Sequence, residues 1–152
     1  MHWHEYFFKL VDLAAQKSKD PTTPVGAIVV GPDKEIRATG FNGFPRGVID
    51  AEERYTDRSQ KLLYIEHAER NAIYNAARVG IPIKGCSIYV RFWPCVDCCR
   101  AIIQAGLTTV YIAKDTYEEQ AQKWERPSAE WNKSMLIGKQ MMIEAGISLE
   151  IV

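Results

Sequence analysis

The chain has 152 residues, 47% apolar and 25% charged, enough for one domain with a buried core. Nineteen basic and nineteen acidic residues cancel, which argues against a protein built to follow the phosphates of long nucleic acid, where a basic excess or stripe is expected. No run approaches the roughly 20 apolar residues that span a bilayer, and "MHWHEYFF" lacks the basic-then-apolar form of a signal peptide. A cytoplasmic protein is expected, in which four cysteines are ligands or core residues and not disulfides.

Residues 2–17 read as an amphipathic helix, with Trp3, Phe7, Leu10 and Ala14 on one face. The prolines of "SKDPTTP" end it. "VGAIVV" (25–30) is a short apolar run between turn residues, a buried strand, and "IRATGF" (36–41) is its antiparallel partner across the turn "GPDKE". "NGFPRGVIDAEERYTDRSQ" then reads as a polar loop, too long to be a mere connector. A helix runs from His67 to about Arg78, with alanines forming a packing face, until Gly80 and Pro82 stop it. "CSIYVRF" (86–92) is a strand, and a helix follows from about Cys95 to Ala105, with Gly106 as its C-terminal cap. "TTVYIA" (108–113) is a strand, and 115–130 is a polar stretch dotted with aromatics and broken by Pro127. A last helix reaches about Ala145 with Trp131, Met135 and Met142 on one stripe, and "ISLEIV" closes as a strand. The order predicts an α/β layered sheet of about five strands in a single domain, 1–152.

Chemistry gathers at two helix starts. Cys95 and Cys98 are three apart, about 60° around a helix axis, so both sulfurs reach one point, and a helix N-terminus favours their thiolates. Pro94 suits the entry to that helix. His67 and Glu69 diverge by about 200° on a helix, so they serve one site only if His67 occupies the cap and points forward. One imidazole and two thiolates leave the fourth zinc position open for water, the catalytic arrangement. Glu69 would then be a proton shuttle beside the metal and not a ligand. A lone C-x-x-C fits core thiols or a redox pair as well, and H-x-E alone says little; together they form the H-x-E…P-C-x-x-C signature known from zinc base deaminases. Cys99, about 100° further round, and Cys86 are expected in the core, and His2 and His4 in solvent.

Beyond the metal motif, "SKDPTTPVGAIVV", "GFNGFPRGV", "HAERNAI", "KGCSIYV" and "PCVDCCRAIIQAGLTTVYI" resemble, in order, segments of the cytidine deaminase superfamily, and closely its deoxycytidylate (dCMP) deaminases. The resemblance implies a three-layer cytidine-deaminase-like fold, a mixed five-stranded sheet flanked by helices. It implies conversion of dCMP to dUMP and ammonia by hydroxide attack at C4, a homo-oligomer, and dCTP and dTTP as effectors. The implied zinc ligands are His67, Cys95 and Cys98, with Glu69 as proton shuttle. Asn42 corresponds to the asparagine that bonds the sugar hydroxyl, and Ala68 to the residue whose backbone contacts the base.

Trp93, beside Pro94, is bulkier than the family's residue there and would reshape the base pocket. Lys19 and Arg46, in turn-rich segments next to the pocket loop, are the candidates for a phosphate, for which a rigid Arg fork is suited. Arg54, Arg58 and Lys61 read either as a solvated face or as an effector or subunit contact. Competing functions are a deaminase of another cytosine compound or of guanine, an editing deaminase on tRNA or single-stranded DNA, and a non-catalytic zinc module. Zero net charge argues against the editing enzyme, since a strand binder needs a basic groove, and Glu69 is useless to a structural zinc.

Overall fold

The structure is a computed structural model that describes residues 1–124 and 129–152, with side chains described outside 121–132. The elements are α1 (Trp3–Ala15), β1 (Gly26–Val30), β2 (Ile36–Phe41), α2 (Glu52–Thr56), α3 (Arg58–Tyr64), α4 (Ala68–Val79), β3 (Ser87–Val90), α5 (Val96–Gln104), β4 (Thr109–Ile112), α6 (Lys114–Trp124), α7 (Ala129–Glu144) and β5 (Ser148–Ile151). The sheet order is β2-β1-β3-β4-β5. β1 runs antiparallel to β2 and to β3, whereas β3, β4 and β5 are parallel, so the five-stranded sheet is mixed as expected.

Strand periodicity divides the core into two layers. Ala27 and Val29 of β1, Ile88 and Val90 of β3, and Val110 and Ile112 of β4 pack under α4, α5 and α7. The intervening Ile28, Val30 and Tyr89 face α1 through Phe7, Phe8 and Val11. All five residues of β1 are buried, as a central strand requires. The buried face of α1 is turned slightly from expectation: Phe7 lies in the core with Leu10 and Ala14 packed at its edge, but Trp3 is half exposed and stacks on Phe7. Among the described residues no helix is long and apolar enough to cross a membrane.

Two stretches read as irregular are helical. Residues 42–60 contain α2 and the start of α3, and Asp57 caps α3 by accepting hydrogen bonds from the Ser59 and Gln60 amides at 2.9 and 3.4 Å. The Gln60 side chain bonds back to Asp57 at 3.3 Å, so an Asp-x-x-Gln capping pair was the overlooked sequence signal. The segment carries its own small core, in which Phe44 stacks on Tyr55 with ring centroids 4.1 Å apart. Lys114–Trp124 likewise forms α6. The expected break at Pro127 lies outside the described residues, as does the Trp131 side chain; Met135 and Met142 of the same stripe are buried.

Two glycines set how closely helices approach. A Cβ on Gly40 would lie 2.3 Å from the Ala68 carbonyl and 2.4 Å from the Ala72 amide, so β2 touches the backbone of α4 in its first two turns. A Cβ on Gly138 would lie 2.9 Å from the Cys99 sulfur, so α7 seats directly on α5. Backbone cannot move aside as a side chain does. Gly40→Ala is therefore expected to lower stability by about 3 kcal/mol, the upper end of ordinary overpacking, read as a lower urea midpoint at unchanged slope.

Candidate active site

α4 and α5 lie side by side on one face of the sheet, and their N-termini converge. His67 is the N-cap of α4 and Cys95 the N-cap of α5, both in extended backbone conformation. A cap side chain projects past the helix end, which lets His67 serve the same site as Glu69, two residues on. The His67 Nδ1 atom is 3.4 Å from the Cys95 sulfur and 3.6 Å from the Cys98 sulfur. All three ligand atoms lie within 4.8 Å of one another, and among the described residues no other group of His, Cys, Asp or Glu converges in this way.

The spacing fits zinc. With ordinary Zn–S and Zn–N bonds of about 2.3 and 2.05 Å, the edge between a sulfur and a nitrogen of a tetrahedron is about 3.6 Å. The protonation pattern fits as well. A hydrogen bond from Cys98 brings the Cys95 thiol down to about 4, and that bond together with burial pushes Cys98 up. Metal binding requires both as thiolates and so releases any proton they carry. The bond to Cys95 holds the His67 imidazole above its usual value against the opposing effect of burial.

Glu69 occupies the first turn of α4 and is 6% exposed. Burial pushes its carboxyl up, and the Cys98 side chain hydrogen-bonds to it. It therefore sits against the three convergent residues without being one of them. Ala68, fully buried, is the first residue of α4, where an amide N–H has no acceptor within the helix.

Asn42 adjoins Gly43, which an isolated antiparallel bridge pairs with Glu66, the residue before His67, with amide-to-carbonyl distances of 3.1 and 2.8 Å. The Asn42 side chain is 5% exposed and already engaged: Oδ1 accepts from the Val25 amide at 2.8 Å, and Nδ2 donates to the Thr23 carbonyl and to Asp20.

Other expected contacts lie elsewhere. The Arg46 guanidinium donates to Asn75 at 2.6 Å, and Asn75 is eight residues along α4 from His67, about 12 Å of helix rise. Lys19 pairs with Asp50 at 2.6 Å and lines an open cavity of about 310 Å³ with Pro21, Glu52, Tyr55 and Thr56, to which no metal-cluster residue contributes. Each cation is engaged by an acceptor from a distant segment, 29 residues away for Arg46 and 31 for Lys19. Trp93 is 5% exposed, with its ring 6.0 Å from that of Tyr117 of α6 and beneath Lys139 of α7. Pro94 is buried, and its carbonyl accepts a hydrogen bond from the Cys99 thiol.

Cys99 and Cys86 are fully buried in the core, as read from sequence, and burial pushes the Cys99 thiol up to about 12. His4 is not simply solvated: it hydrogen-bonds the Tyr89 hydroxyl at 3.0 Å and packs on Tyr111. Lys61 is not on a solvated face either, being 12% exposed and paired with the buried Asp20. Arg54 lies over the Tyr64 ring, and Arg58 is exposed.

Sequence reasoning missed the charged frame around the ligands. Arg70 bonds the Glu66 carboxylate and lies 3.6 Å from Asp97 of α5, tying the two helix starts together. Glu66 also accepts the His67 amide hydrogen at 3.2 Å. The Glu66–Arg70 pair has i, i+4 spacing, the one signal that pointed to it.

Residues 1–114 match the cytidine and deoxycytidylate deaminase zinc-binding region family. The chain is 39% identical to human deoxycytidylate deaminase over 124 residues, which covers 78% of this chain and 68% of that one. It is 35% identical to a deaminase of Aliivibrio fischeri over 147 residues, 97% of this chain and 91% of that one. Among solved structures, the dCMP deaminase of cyanophage S-TIM5 in complex with dCMP and dUMP superposes with a TM-score of 0.71 at 27% identity, over 97% of this chain and 95% of that one. With the zinc-binding region matched over residues that include both convergent helix starts, this chain belongs to the cytidine and deoxycytidylate deaminase family.

Proposed function

We propose that this chain is a zinc-dependent hydrolase that converts dCMP to dUMP and ammonia. The observation that carries the reading is Glu69: a buried carboxyl beside three convergent ligands, placed where a proton must move and not where a fourth ligand is needed. Relatives named deoxycytidylate deaminase at 39% identity supply the substrate class.

His67, Cys95 and Cys98 would hold the zinc, which when bound supplies the Lewis acidity that readies a water for attack on C4 of cytosine. Glu69 takes a proton from that water and gives it to the ring nitrogen N3; a further transfer to the amino group lets ammonia leave as the C4 carbonyl forms. Burial, by raising the Glu69 carboxyl, keeps it able to give back each proton that it takes. The first-turn N–H of Ala68 would donate to the base, and Asn42 would accept from the sugar hydroxyl; the start of α4 at Ala68 supports the first of these contacts. A phosphate contact from Arg46 or Lys19 requires each to leave Asn75 or Asp50.

We further place the protein in the cytoplasm as a homo-oligomer that responds to dCTP and dTTP. The use of cysteines as candidate ligands and core residues supports a reducing compartment, and assembly and effectors are what the resemblance read from the sequence implies. Ammonia release should be measured across dCMP, dCTP, deoxycytidine, cytosine and guanine, with and without dCTP or dTTP. The expected order puts dCMP first by kcat/KM; a higher value for guanine or deoxycytidine would refute the substrate.

A further inference from the structure

Between the end of β3 at Val90 and the start of α5 at Val96 lies the turn that delivers Cys95 to the three convergent residues. Residues 91–95 form no helix or strand, so their backbone groups take partners from other segments. On the α5 side Cys99 provides them: its amide donates to the Cys95 carbonyl at 2.9 Å and its thiol to the Pro94 carbonyl at 3.5 Å. On the β3 side the partners come from α6. The Thr116 hydroxyl donates to the Arg91 carbonyl, and Gln120 Oε1 accepts from the Trp93 amide at 2.8 Å. Thr116 and Gln120 are four apart and so share one face of α6. Asp115 adds an ion pair to the Arg91 side chain at 3.2 Å.

The chemistry above uses none of these side chains. α6 begins at Lys114, the last residue of the matched zinc-binding region, so this side of the turn is held by a helix that lies beyond that region. Trp93 precedes Pro94, which confines it to extended backbone, and Pro94 has no N–H of its own. Once the Arg91 carbonyl and the Trp93 amide are fixed, little freedom is left between the sheet and Cys95.

We propose that Gln120 is a positioning residue for the metal site: by accepting from the Trp93 amide it holds the 91–95 turn, and with it the Cys95 sulfur, ready for the metal. The inference rests on the zinc reading of His67, Cys95 and Cys98. Without that acceptor the turn relaxes in the metal-free protein and must be ordered again when zinc binds. The loss then falls on zinc affinity and not on the fold, as for any site that gives up preorganisation.

The test measures zinc affinity by competition with a chromophoric chelator in the wild type, Gln120→Met, Gln120→Glu and Glu118→Ala. Tm is taken with and without zinc, and visible spectra are recorded with cobalt(II) in place of zinc. Methionine keeps the length and loses the acceptor, glutamate keeps an accepting oxygen, and Glu118 is an exposed control on the same helix. Gln120→Met should weaken zinc binding about tenfold, the lower end of what partners behind a metal ligand contribute, since it acts through backbone. Its cobalt d–d bands should shift, because they report ligand geometry. Gln120→Glu and Glu118→Ala should bind zinc as the wild type does, and the metal-free Tm should be nearly the same in all four. Wild-type affinity in Gln120→Met, or equal weakening in Gln120→Glu, overturns the inference. A Gln120→Met protein whose Tm falls as far without zinc as with it makes Gln120 a support of the fold and overturns it as well. A wild type that takes up no zinc overturns the metal reading and the inference with it.

Discussion

Glu69→Gln is expected to lower kcat for dCMP by about 10⁴-fold while leaving zinc content and KM nearly unchanged. General acid–base assistance is typically worth roughly 10² to 10⁴ in rate, and Glu69 would serve several transfers in one turnover, so the loss falls at the top of that range. Glutamine keeps the shape and a hydrogen-bonding amide in a cavity that holds the side chain at 6% exposure, so the fold has little reason to change. It removes the base and with it the charge that burial disfavours. Metal analysis and steady-state kinetics on one preparation decide the matter. Lost zinc would make Glu69 a ligand or a support of the fold, and near-normal turnover would make it incidental.

Cys95→Ala and Cys98→Ala are each expected to take the protein from about one zinc per chain to a small fraction of that, and to abolish deamination, since a three-ligand site cannot spare a thiolate. Cys99→Ala is the contrast. Its sulfur is fully buried, bonded to the Pro94 carbonyl and packed beneath Gly138, on the side of α5 that meets α7. It should keep zinc and most activity at a modest cost in stability from the space that it leaves. Zinc measured by atomic emission after dialysis against chelator separates the three variants. A Cys99→Ala protein without zinc, or a Cys98→Ala protein with it, would reverse the assignment of the two adjacent cysteines.

How far the site was legible follows from how local each signal is. Cys95 and Cys98 share one helix turn, so their convergence is a property of three residues of spacing. His67 joins them because a cap residue aims its side chain past the end of a helix, and the extended backbone at His67 and at Cys95 is that of a cap. Cys99 could be set aside on helix angle alone. The strands were readable because period-two burial leaves a pattern even in four or five residues, as Ile88, Tyr89 and Val90 show by facing alternate layers. The helices α2 and α3 have only five and seven residues and little apolar content, too short for a period to emerge. What holds them is distant in sequence: Lys61 on Asp20, 41 residues apart, and Tyr55 stacked on Phe44.

Arg46 and Lys19 mark the boundary of such reading. Both are cations next to a pocket loop, and a long side chain can turn to any acceptor within its reach, so sequence names the charge without its partner; Asn75 and Asp50 were found only in space. Trp93 is similar, since its neighbours come from α6 and α7, more than twenty residues on. By itself, then, the sequence determined the family, the layered α/β fold and the candidate residues at two helix starts, because each of those patterns depends on spacing within one helix or strand. Only the tertiary structure decided where Arg46, Lys19 and Trp93 go, and that Asp20 and Lys61 form a buried pair. Those outcomes are set by contacts between segments far apart in the chain, where the nearest partner wins and no local pattern records it.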